Sequence, residues 1–77
     1  MNKVRRKELA KAIELMEQAM NIISECREEE QDAFDNLPEG IQDSERGDQM
    51  QEYIDMMEEA YDELDDQIDT IYEIVNG

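Results

Sequence analysis

Eight carboxylates recur at 4-3-4-3-4-3-4 spacing through the second half of the chain: Asp48, Glu52, Asp55, Glu59, Asp62, Asp66, Asp69 and Glu73. That alternation follows the turn of an α-helix, so all eight fall on one face. The chemistry open to such a row is electrostatic: weak condensation of calcium or magnesium, and attraction to a cationic surface. At the helical rise per residue the row extends for about 37 Å, with about one charge per 5 Å. A DNA strand carries one phosphate per about 3.4 Å, a comparable density. Like charges three or four residues apart oppose helix formation by about 0.2–0.5 kcal/mol per pair. A face meant only for water normally intersperses lysines, yet no basic residue follows Arg46.

Other reactive side chains are few. There is no histidine, which removes imidazole from any metal site or proton relay. The single cysteine, Cys26, has no histidine to activate it and no second cysteine to pair with. It reads as a small buried residue on the apolar side of its helix. Ser24 and Ser44 lack triad partners. Gly40, Gly47 and Gly77 are too scattered for a phosphate loop. Asp32 to Asp43 does not follow the ligand order of an EF-hand, and Glu28-Glu29-Glu30 wraps around a helix instead of converging. These observations predict a non-enzymatic protein without catalytic, cofactor or metal-binding residues.

With 77 residues, 39% hydrophobic and 39% charged, one proline and a net charge of −16, the chain suits long amphipathic helices in one small domain. So short a chain buries little surface alone, which favours self-association. Lys3, Arg5, Arg6, Lys7 and Lys11 hold five of the seven basic residues; residues 12–77 carry 2 basic and 22 acidic groups, or −20. Such a surface repels nucleic acid and anionic membranes and attracts basic proteins. The expected partners are therefore a basic protein surface and a second copy, with no direct nucleic acid and no membrane. Glu8, Lys11, Glu14 and Glu17 interrupt any signal-peptide core, and a cytoplasmic location is expected.

Two seams build the elements that carry these residues. Leu9, Ile13, Met16, Met20 and Ile23, continued in register by Arg27, Glu30, Phe34 and Leu37, predict a first helix over about 3–36. Pro38 ends it, Gly40 permits a tight turn in a tip over 37–43, and Asp43 or Ser44 caps a second helix over about 44–76. The second seam is Met50, Ile54, Met57, Tyr61, Leu64, Ile68, Ile71 and Val75, a heptad pattern. Folded back antiparallel, opposed seam residues have numbers that add to 80 or 81, from Leu9 with Ile71 to Phe34 with Gly47. In that register Gly47 makes room for the Phe34 ring, Arg27 pairs with Glu30, and the basic cluster lies beside Asp65, Asp66, Asp69 and Glu73. The predicted fold is all-α: an antiparallel, coiled-coil-like helical hairpin in a single domain, 1–77.

The apolar arc is wider than one partner helix covers. Ala12, Leu15, Ala19, Ile22 and Cys26 flank the first seam, and Tyr53, Met56, Ala60 and Ile74 flank the second. The face formed by Ala12, Leu15, Ala19, Ile22, Cys26 and Met56 predicts an oligomer contact, with two hairpins forming a four-helix bundle and the acidic row left outside.

The tip, Asn36-Leu37-Pro38-Glu39, then Ile41-Gln42 and Ser44-Glu45-Arg46-Gly47 before an acidic helix, resembles that of small helical-hairpin proteins in phage and prophage genomes of Gram-positive bacteria. The resemblance covers about half the chain, implies a mobile-element origin, and assigns no activity or site residue. In size and charge the chain is also similar to acidic DNA-mimic proteins with which phages inhibit host restriction and CRISPR machinery. The expected function is an acidic protein-binding module directed at a basic partner, extending to DNA mimicry. The alternative is a helical scaffold whose acidic face only confers solubility.

Overall fold

The computed structural model describes residues 1–77, and all of its regular structure is helical: α1 (Lys3–Asp35), α2 (Glu39–Gln42) and α3 (Glu45–Asn76). The two long helices would each measure about 50 Å at the standard rise. The molecule is 58 Å long and only 15 by 12 Å in cross-section, so α1 and α3 lie side by side. Their contacts run in opposite order along the two sequences. Ile13 and Met20 cluster with Ile68, flanked by Leu64, Ile71 and Val75, while farther along α1 Arg27 reaches Glu58.

The seam explains this packing residue by residue. Ile13, Met20, Ile54 and Ile68 are buried. The other first-seam positions, from Leu9 to Leu37, are half-buried, as are Met50, Met57, Leu64, Ile71 and Val75. Each buried aliphatic side chain contributes about 1.5–3 kcal/mol relative to exposure. Tyr61, at the margin of exposure, keeps its ring at the edge of the seam.

Local signals set the ends. Asn2 accepts a hydrogen bond from the Arg5 amide at 2.9 Å and caps α1. At the other end Asn36 closes α1, its amide bonding the Asp32 carbonyl at 3.1 Å, immediately before the Leu37-Pro38 pair that opposes helical geometry. The expected irregular tip contains a further helical turn. Pro38 starts α2, where its missing N–H is no loss, and its carbonyl accepts from the Ile41 and Gln42 amides. Gly40 belongs to this turn, and no glycine takes a positive φ, so left-handed backbone has no part in the link between α1 and α3. The Gln42 side-chain amide donates to the Phe34 carbonyl at 3.0 Å, which also accepts from the Leu37 amide at 3.0 Å, and so ties α2 to the end of α1. Ser44 occupies the N-cap of α3, but its hydroxyl turns back to the Ile41 carbonyl instead of capping α3.

Gly47 is buried, for a different reason from the one its register suggested. A Cβ there would lie 2.6 Å from the carbonyl carbon and 2.8 Å from the Cα of Gln42. The position accommodates the α2 backbone, and the Phe34 ring is not among the atoms a Cβ would meet first.

Candidate acidic interaction surface

The acidic row occupies the side of α3 remote from its seam. Each member stands two positions before a seam residue, from Asp48 before Met50 to Glu73 before Val75. Two residues turn a helix by about 200°, which is nearly opposite. All eight side chains are exposed. The chain contains two ion pairs, Lys11–Glu8 at 3.4 Å and Arg27–Glu58 at 3.3 Å, and neither involves the row. Its N-terminal part borders an open concavity lined by Glu45, Arg46, Asp48, Gln49 and Glu52.

The expected neutralisation by the basic cluster forms no ion pair with the row. Lys3, Arg5 and Lys7 are exposed and make no ion pair, and Asp65, Asp66, Asp69 and Glu73 have no cation within salt-bridge distance. Arg6 shows why. It stands seven residues before Ile13, in register with the seam, so its stem folds inward and its Nε becomes buried without a hydrogen-bond partner. Its neighbours lie off the seam and extend into water. No ion pair within the chain therefore interrupts the row.

Arg27 also departs from expectation. Its guanidinium bonds Glu58 on α3 instead of Glu30 on its own helix, because a seam position aims the side chain across the interface. With Ile23, Ser24, Met57, Tyr61 and Asp62 this pair lines a cleft of about 360 Å³ between the helices. The cleft holds hydroxyl groups and carboxylates but neither a histidine nor a thiol. No three His, Cys, Asp or Glu side chains converge closely enough to hold a metal ion.

The flanking apolar residues divide by size. Ala12 and Ala19 are half-buried, whereas Leu15, Ile22 and Met56 expose 64%, 61% and 55% of their surface. Cys26 is exposed as well, against the expectation of burial. Its position beside the seam faces an uncovered flank of α1, and α3 covers only the central stripe. No helix is long and apolar enough to cross a membrane.

No protein-family model matches the chain, and no match is found among curated proteins or solved structures.

Proposed function

We propose that the chain is a non-enzymatic, cytoplasmic interaction module: an antiparallel helical hairpin, paired into a four-helix bundle, that captures a basic protein surface through its acidic row. One observation carries the reading. Eight regularly spaced, exposed carboxylates form no ion pair within their own chain. A helix that keeps seven like-charge neighbour contacts along one face forgoes stability at each of them, and a cationic ligand recovers it. The row's length and charge spacing suit a channel shaped for a nucleic-acid backbone, which makes inhibition by DNA mimicry, as a phage-encoded protein would use it, the specific form of this reading.

The test compares the wild-type chain with Asp55→Gln/Glu59→Gln/Asp62→Gln/Asp66→Gln as baits for basic nucleic-acid enzymes. The expected result is a partner held by the wild type, lost by the variant, released by salt and displaced by duplex DNA. Equal retention by both baits would overturn the reading. The exposed Leu15, Ile22 and Met56 favour a second reading, a self-assembling scaffold with a merely solvating exterior; salt-resistant recovery of the chain alone would support that one.

A further inference from the structure

One lateral side of the helix pair is apolar and the other is not. In helices running in opposite directions, the residues just before Ile13 and Met20 on α1 and just before Ile54, Tyr61 and Val75 on α3 point to the same side. These are Ala12, Ala19, Tyr53, Ala60 and Ile74. Leu15, Ile22 and Met56 extend the same side outward by one further step around each helix. A cleft lined by Ile23, Glu30, Tyr53, Met56, Met57 and Ala60 opens there. The cleft that also contains Ile23 and Met57, but with Ser24 and the Arg27–Glu58 pair, opens on the polar side.

We infer that this apolar side is the contact surface for a second copy of the chain, and that it responds to salt in the opposite sense to the acidic row. The inference rests on the hairpin reading above and names the surface that its pairing uses. Three observations select a second copy. Leu15, Ile22 and Met56 expose 64%, 61% and 55% of their surface on this one side, where no other part of the chain covers them. Between Ala12 and Cys26 on α1, and between Tyr53 and Ala60 on α3, this side carries no charged residue, although charged residues form 39% of the chain. A chain of net charge −16 meets its own copy with least repulsion through such a window. The small side chains of Ala12, Ala19 and Ala60 allow close approach, and Leu15, Ile22 and Met56 supply the apolar area. A basic partner gains little from this side, because the carboxylates of the row stand about 100° around α3 from Tyr53, Ala60 and Ile74.

The salt response follows from the charges. Two copies of equal sign repel, so screening strengthens their association; the row and a basic partner attract, so screening weakens theirs. Sedimentation of the intact chain at about 50 mM and about 500 mM NaCl tests this. Twice the chain mass of 9.1 kDa, with the dimer fraction increasing at high salt, is the expected result. Ile22→Glu and, independently, Met56→Glu should raise the dimer dissociation constant about tenfold or more by burying an unpaired charge. Both positions are exposed within one chain, so circular dichroism should report unchanged helix. The variant neutralised at positions 55, 59, 62 and 66 should still dimerise, which separates failure of this surface from failure of the acidic row. A helical monomer at high salt, or two glutamate variants that dimerise like the wild type, would overturn the inference.

Discussion

At Gly47 a single methyl group tests how the α2 turn seats against α3. The added carbon would lie 2.6 and 2.8 Å from backbone atoms of Gln42, and backbone yields less readily than the end of a flexible side chain. Gly47→Ala should therefore destabilise the chain by about 1–3 kcal/mol, the ordinary penalty for overpacking. Gly40→Ala is the matched control. Gly40 is also helical, but nothing lies within 4 Å of the position its Cβ would take, so alanine should be neutral or stabilise by up to about 1 kcal/mol. Urea titration of the two variants measures the difference, and equal midpoints would refute this role for Gly47. The site of conflict was visible in the sequence as a glycine in register with a heptad seam. Its cause was not, because it depends on Gln42 belonging to a helical turn.

At the scale of the elements, the period of the apolar residues made the long helices legible almost to the residue. The expected bounds of about 3–36 and 44–76 became Lys3–Asp35 and Glu45–Asn76. The acidic row was equally legible, since a side chain opposite a regular seam has nowhere to go but solvent. Features decided across the interface were harder to read. Arg27 chose Glu58, Arg6 folded inward, and Cys26 stayed exposed, each outcome depending on how much of α1 is covered by α3. The row has a consequence for α3 itself. Replacing Asp55, Glu59, Asp62 and Asp66 with glutamine relieves ten like-charge pairs three or four residues apart, five within the row and five with Glu58, Glu63 and Asp65, worth about 2–5 kcal/mol in low salt. Glutamine is also a better helix former than aspartate, so stabilisation alone is ambiguous. The diagnostic is its salt dependence: the gain over wild type, read from thermal melts, should shrink as added NaCl screens the repulsion, and a gain independent of salt would assign it to helix propensity.

Across the whole molecule, a 58 Å rod with a net charge of −16 works against its own compactness. Self-repulsion favours expanded states, while the buried hydrophobic core comprises only Ile13, Met20, Ile54 and Ile68. Screening and self-association should therefore both stabilise the fold, and they can be separated. Salt acts on the monomer by weakening repulsion within one chain; a second copy acts by mass action, which makes the melting temperature depend on protein concentration. For the wild type the melting temperature should rise with NaCl at fixed protein concentration and with protein concentration at fixed NaCl. For Ile22→Glu only the first dependence should remain, because its chain keeps the charge but loses the contact. A melting temperature that falls as salt is added would contradict the self-repulsion account. One that ignores protein concentration in the wild type would contradict the apolar contact and leave the acidic row to be tested on its own partner, where salt must act in the opposite direction.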